Sequence, residues 1–214
     1  MSGIMTGVAA AIAFAVTAVA GKWAVPFLHK LHFGQTIKEV GPTWHKNKQG
    51  TPTMGGIMFI IGIVCAIIIA VPIFYSKVGY APIEGLEGIS GETGLQRVRL
   101  FGGMIMALAY ASVGFVDDYI KVVKKRNLGL RARQKILLQL IIACAYLASL
   151  YLAGERGNTV IPFAGTVSLG WFYWPAALFG ILGTVNAVIL SDGIDGLAGS
   201  VTMFACIFFM IIAS

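Results

Sequence analysis

Polar residues are so sparse along this chain that six stretches stay apolar for about twenty positions each: 3–21, 54–74, 100–116, 136–153, 171–190 and 197–214. A helix needs roughly 20 residues to cross a hydrocarbon layer about 30 Å thick, so each stretch predicts a membrane-spanning helix. Barrel strands are about ten residues long and alternate apolar with polar. No such alternation runs through these stretches. The expected fold is an all-α integral membrane protein with six transmembrane helices in one polytopic domain over residues 1–214. Between the second and third stretches, residues 76–97 are rich in Gly and Glu and read as an irregular loop. Between the fourth and fifth, Thr159-Val160-Ile161 and Thr166-Val167-Ser168-Leu169 flank Pro162 and Gly165, which predicts a short hairpin.

Composition agrees with this pattern. Hydrophobic residues make up 57% of the chain and charged residues 12%, about half the charge of a soluble domain. The net charge of +7 would suit nucleic acid if it were spread over a surface. Here the basic residues gather in two short loops between spans, which fits a membrane surface and phosphorylated substrates instead. Cys65, Cys144 and Cys206 lie in three different apolar runs with no metal-like or redox-like spacing, and read as small apolar side chains. His29, His32 and His45 show no ligand spacing either, and suit a polar interface. No Lys or Arg precedes Lys22, so the first stretch reads as a retained span rather than a cleaved signal.

The Lys and Arg residues also predict sidedness. Lys30, Lys38, Lys46 and Lys48 follow the first span. Lys121, Lys124, Lys125, Arg126, Arg131, Arg133 and Lys135 follow the third, making eleven on one side. The other side has Lys77, Arg97, Arg99 and Arg156, diluted by Glu84, Glu87, Glu92 and Glu155. Lys22, inside the end of the first span, can snorkel. The positive-inside rule makes the eleven-residue side cytoplasmic and puts the N-terminus and the hairpin outside. Trp171-Phe172-Tyr173-Trp174 then falls at the outer interface, where amphipathic rings prefer to sit.

Four aspartates stand out among the spans, because an ionised Asp near hydrocarbon is costly and usually has a partner or a function. Asp117 and Asp118 end the third span, and Asp192 and Asp195 follow the fifth. If the third helix continues past the membrane, Lys121 lies i,i+4 from Asp117 and i,i+3 from Asp118, so one ammonium can sit over two carboxylates. Such a pair suits binding of Mg²⁺ and diphosphate, or removal of a proton from a phosphate nucleophile. A salt-bridged helix end is the plainer alternative. In Asn186-Ala187-Val188-Ile189-Leu190-Ser191-Asp192-Gly193-Ile194-Asp195-Gly196, the glycines allow a sharp turn and close approach of a ligand. Ser191 or Asp192 could instead simply cap the next helix, with Asp195 in its first turn. The third group is Lys48-Gln49-Gly50-Thr51-Pro52-Thr53-Met54-Gly55-Gly56. Thr53 can cap the second helix while Lys48 and Thr51 offer a charge and a hydroxyl to a phosphate. The order and spacing are not those of a P-loop.

These three groups, with Gly129-Leu130-Arg131-Ala132-Arg133-Gln134-Lys135 and on to Gln139, resemble in order the motifs of the phospho-N-acetylmuramoyl-pentapeptide transferase (MraY) family. That family belongs to the polyprenyl-phosphate N-acetylhexosamine-1-phosphate transferases. The Thr-Pro-Thr-Met-Gly-Gly element resembles it more than the related N-acetylglucosamine-1-phosphate transferases. The resemblance covers all six spans and the first part of a ten-span fold. The apolar run is still open at Ser214, which reads as part of a longer chain.

The resemblance implies a Mg²⁺-dependent enzyme of the bacterial cytoplasmic (inner) membrane with its active site facing the cytoplasm. It implies transfer of phospho-N-acetylmuramoyl-pentapeptide from its UDP conjugate to undecaprenyl phosphate, giving lipid I and UMP for peptidoglycan. A homodimer and a target of nucleoside antibiotics are implied as well. By match of motif, Asp117 and Asp118 would be catalytic, Asp117 as base or activator of the lipid phosphate. Lys48, Thr51, Thr53, Lys121, Asn186, Asp192 and Asp195 would bind substrate. The family's main metal-binding Asp and histidine-rich loop belong to later spans, so no metal ligand is assigned here. One departure stands inside the matched motifs. The family usually has a second Asn three residues after the position of Asn186, where this chain has Ile189. A cation-coupled transporter is the rival from another class, but the aspartates crowd one face rather than mid-membrane, and the sequence has no internal repeat.

The basic asymmetry sets the first test. In a variant without native cysteines, Gln49→Cys and Gly88→Cys should react with an impermeant thiol reagent from opposite sides of the membrane. Labelling of both from one side would overturn the topology.

Overall fold

The computed structural model describes residues 2–30, 54–78, 92–124, 128–161, 165–193 and 196–212. Lys48, Thr51, Thr53 and Asp195 lie outside the described residues, as do His32 and His45. Helices dominate: α1 Ser2–Lys30, α2 Gly56–Val78, α3 Glu92–Arg97, α4 Gly103–Val123, α5 Ala132–Leu152, α6 Tyr173–Ser191 and α7 Leu197–Ile212. One antiparallel hairpin, β1 Asn158–Ile161 and β2 Gly165–Ser168, follows α5, with Asn158 opposite Ser168 and Ile161 opposite Gly165. Among the described residues, 5 helical stretches are long and apolar enough to cross a membrane. The sixth apolar helix, α7, has 16 residues. The all-α membrane fold and the hairpin are therefore as the apolar pattern predicts.

Part of the expected irregular loop is not irregular. Glu92–Arg97 is helical and runs through a π turn, Val98–Gly102, into α4. Glu92, Leu95, Gln96 and Arg97 are good helix formers, and their propensity outweighs the one glycine of the segment, Gly94.

The chain forms two compact units, one of residues 1–80, 111–131 and 203–214, the other of residues 81–110 and 132–202. In the first, α1 packs against α2. Gly21 meets Met58 while Thr17 meets Gly62, so the helices run antiparallel. A Cβ at Gly62 would lie 2.0 Å from Thr17 Oγ1 and 2.8 Å from the Ala13 carbonyl oxygen. Between lipid-facing helices the hydrophobic effect gives no drive to associate, so close backbone approach through small residues supplies the contact.

In the second unit α5 is the central element. Gln139, Ala143, Leu147 and Leu150 are all buried and recur at i, i+4, i+8 and i+11, one face of the helix. That face packs on α6 and on the π turn. The ring of Tyr146 fits against Gly102, where a Cβ would lie 3.3 Å away. The end of α5 is tied down by a buried carboxylate. Glu155, 7% exposed, is ion-paired with Arg99 of the π turn and accepts the backbone N–H of Arg156 at 3.1 Å and of Gly157 at 3.3 Å. Gly157, at φ +75°, has no room for a side chain, since a Cβ would sit 2.8 Å from Tyr173 Cβ. Tyr151 and Trp174 meet edge to face at 5.4 Å, joining the end of α5 to the start of α6. Trp171 and Phe172, beside that contact, are largely exposed, as suits rings at a membrane interface.

The contact at Gly62 makes a stability prediction. Gly62→Leu should force α1 and α2 apart and cost about 1–3 kcal/mol, the usual scale of overpacking. Gly7→Ala, on α1 with nothing within 4 Å of its Cβ, should cost nothing. Thermal unfolding of the two variants in detergent checks this, and equal behaviour would remove Gly62 as a packing determinant.

Candidate functional site

α4 runs unbroken to Val123, so Asp117, Asp118 and Lys121 share its last two turns as the spacing requires. Lys121 Nζ lies 2.8 Å from Asp117 Oδ2 and 3.0 Å from Asp118 Oδ1. One ammonium spans both carboxylates. Two acidic groups near a helix C-terminus sit against the negative end of the helix dipole, and Lys121 offsets that cost locally. The Lys121 side chain is about a third exposed, so the ion pairs fall toward the surface range of roughly 0–1 kcal/mol. They hold geometry more than they stabilise the fold.

The two carboxylates differ sharply in setting. Asp118 keeps 35% of its side chain exposed, while Asp117 is buried at 7% overall. The chain returns to Asp117 after α4: the backbone N–H of Leu130 donates to Asp117 Oδ1 at 2.7 Å. Asp117 thus has one oxygen on a cation and the other on an amide. Gly129 permits this arrangement. A Cβ there would lie 2.3 Å from Asp117 Oδ1 and 2.7 Å from the Asp117 carbonyl oxygen. Sequence reasoning placed Gly129 in a motif but gave it no role. Its position after a basic loop was the available signal.

The second predicted group is on and after α6. Asn186 Nδ2 donates to Gln139 Oε1 at 3.0 Å and to the Leu182 carbonyl at 2.8 Å. Its two amide protons are thereby taken, and its carbonyl oxygen is the atom left to meet a ligand. Gln139, 1% exposed, also accepts the hydroxyl of Tyr110 on its backbone carbonyl at 2.9 Å. An amide buried in an apolar helix must be bonded, and this one joins α5 to α6 through Asn186. Its polarity within a span was the sequence signal for it.

The capping alternative for the loop is corrected. Ser191 ends α6 with its hydroxyl donating back to the Ala187 carbonyl at 2.9 Å, and Asp192 is the C-cap of that helix. Gly196, at φ +78°, stands before α7 and accepts Ser200 N–H on its carbonyl at 2.9 Å. A left-handed residue at that point needs glycine, so neither Ser191 nor Asp192 serves as the N-cap of α7. Asp192 and Ile189 are both exposed.

Asp117, Asp118 and Lys121 come together in the first unit, and Asn186 joins Gln139 in the second. Among the described residues no three of His, Cys, Asp and Glu converge as metal ligands. The Asp117–Asp118 pair is too small for a protein cage. It suits the way Mg²⁺ is often held, by one or two carboxylates together with substrate phosphates and water.

Comparison with known proteins agrees with the motif order. Residues 100–214 match the model of glycosyl transferase family 4, and residues 48–60 match phospho-N-acetylmuramoyl-pentapeptide-transferase signature 1. A phospho-N-acetylmuramoyl-pentapeptide-transferase of Desulforamulus reducens is 44% identical over 209 residues, covering 96% of this chain and 57% of that protein. Proteins of the same name from Desulforudis audaxviator and Heliobacterium modesticaldum are 40% and 42% identical, over 96% and 95% of this chain and 60% and 57% of their own lengths. The chain thus spans somewhat over half the length of the curated relatives it matches. With more than half of its residues matched by the family model and the first transferase signature in place, the chain belongs to glycosyl transferase family 4.

Proposed function

We propose that the complete transferase moves phospho-N-acetylmuramoyl-pentapeptide from its UDP conjugate to undecaprenyl phosphate, forming lipid I and releasing UMP. The observation that carries this reading is the Asp117–Lys121–Asp118 cluster at the end of an apolar helical stretch of 30 residues. A helix of that length can deliver carboxylates and a cation to the membrane surface, where a lipid phosphate and a soluble nucleotide can meet. The names of the relatives and the signature at residues 48–60 support the same substrates.

In the reaction an oxygen of the lipid phosphate bonds to the sugar-bearing phosphorus of the diphosphate, and the anhydride bond to UMP breaks. Asp117 would take the proton of the lipid phosphate, or otherwise orient it for attack. Lys121 would sit beside the negative charge that builds as the anhydride breaks. Asp192 and Asp195, with Lys48, Thr51 and Thr53, would bind the nucleotide and diphosphate, and Asn186 would present its carbonyl oxygen. Mg²⁺ would be held through Asp118, the more exposed of the pair, and when bound it neutralises phosphate charge. The site would face the cytoplasm of the bacterial inner membrane, with the N-terminus outside and the enzyme a homodimer.

Two measurements follow. Ile189 occupies the place of the family's usual second Asn, so Ile189→Asn should tighten UDP-sugar binding by about 0.5–1.5 kcal/mol, the net value of one hydrogen bond. Calorimetry on the complete enzyme reads this directly, and unchanged or weaker binding would detach Ile189 from the nucleotide. Asp117→Asn should lower kcat by about 10²–10⁴-fold while nucleotide affinity holds. Asn keeps the volume but cannot take a proton. Lipid I formation across a Mg²⁺ series separates the roles: a metal ligand would give partial rescue at high Mg²⁺, and wild-type turnover would reduce Asp117 to a salt-bridged helix end.

A further inference from the structure

The return of the chain to Asp117 does more than close a loop. We propose that Gly129 and the backbone N–H of Leu130 are a positioning clamp for the Asp117 carboxylate, an inference that rests on Asp117 acting in the reaction proposed above.

Three observations converge on the clamp. Asp117 is buried although its neighbour Asp118 on the same helix end is not. Its Oδ1 accepts Leu130 N–H at 2.7 Å while its Oδ2 faces Lys121 at 2.8 Å, so the two oxygens are held from different directions. The residue before the donor lacks a side chain, and a Cβ there would fall 2.3 Å from Oδ1, 2.8 Å from the carboxylate carbon and 2.7 Å from the Asp117 carbonyl oxygen. Two of these atoms belong to the carboxylate and one to the helix backbone, so the collision cannot be relieved by turning the side chain alone.

Gly129 is not among the glycines at positive φ. Its requirement is for space against Asp117, not for a left-handed backbone. Lys121 alone could hold the carboxylate in several rotations, because an ammonium is a compact charge on a flexible stem. A fixed amide donor removes that freedom. A carboxylate fixed to within a fraction of an ångström is what a proton transfer or an in-line attack needs. The clamp therefore acts on catalysis through Asp117, and touches no substrate itself.

A double-mutant cycle in the complete enzyme tests this. Gly129→Ala should lower kcat at least tenfold with the dissociation constant for the UDP-sugar changed less than twofold. In an Asp117→Asn background the same substitution should change the residual kcat less than twofold, because the group it displaces no longer reacts. A merely structural glycine would cost the same factor in both backgrounds, and that result, or an unchanged kcat in the wild-type background, overturns the clamp. Wild-type turnover in Asp117→Asn alone would instead sink the catalytic reading on which the clamp rests. Should Gly129→Ala fail to fold, replacing Leu130 with its α-hydroxy acid removes the N–H and leaves every side chain in place. A kcat loss seen with Asp117 intact and absent in the Asp117→Asn background supports the clamp, and no loss refutes it.

Discussion

Hydrocarbon cannot hydrogen-bond, and every polar group this chain carries into or near the membrane must find its partner within the protein. The long helices answer that demand for the backbone. Among the described residues, three long-range side-chain attachments contribute to the answer. Asn186 donates to the side chain of Gln139 between α5 and α6. Glu155 is held by Arg99 and two backbone amides below the hairpin. Asp117 is held by Lys121 and the Leu130 amide at the end of α4. Apolar packing between spans is weakly selective because lipid tails compete for the same contacts. These polar attachments therefore contribute specificity that the apolar surface does not.

The three attachments differ in what they leave open. Glu155 is held by a cation and two amides in a buried turn, the mark of a structural fastening. Gln139 is fully buried and leaves Asn186 a single acceptor atom to offer. Asp117 and Asp118 are separated by burial, not by chemistry: one carboxylate is fixed and shielded, the other partly exposed, and a single ammonium touches both. The first setting fixes a carboxylate in orientation, and the second leaves it in contact with solvent. This difference in setting follows from one residue of helical rotation, about 100°, which turns Asp117 toward the returning chain and Asp118 away from it.

How much of this is legible in the residues depends on the range of the interaction. The spans, the hairpin between Thr159 and Ser168, and the Asp117–Lys121–Asp118 triad are local consequences of run length, turn residues and i,i+3 and i,i+4 spacing, and each is readable from sequence. The helical run at Glu92–Arg97 was obscured by the glycines beside it. The alternative that Ser191 or Asp192 caps the next helix fails because Asp192 ends α6 and Gly196, with a left-handed backbone, stands before α7.

Sequence alone determined that this is a polytopic helical membrane protein with acidic and basic residues collected at the ends of particular spans, because hydropathy and helical periodicity act over neighbouring residues. Its motif order also placed it among the transferases. Tertiary structure decided which of those polar residues are buried and what holds them. That Leu130, thirteen residues on, binds Asp117, and that Gln139 meets Asn186 from forty-seven residues away, depends on how the chain returns on itself. Side-chain spacing along a helix carries no record of that return, and a glycine's need for space shows only once the atom that would collide with it is in place.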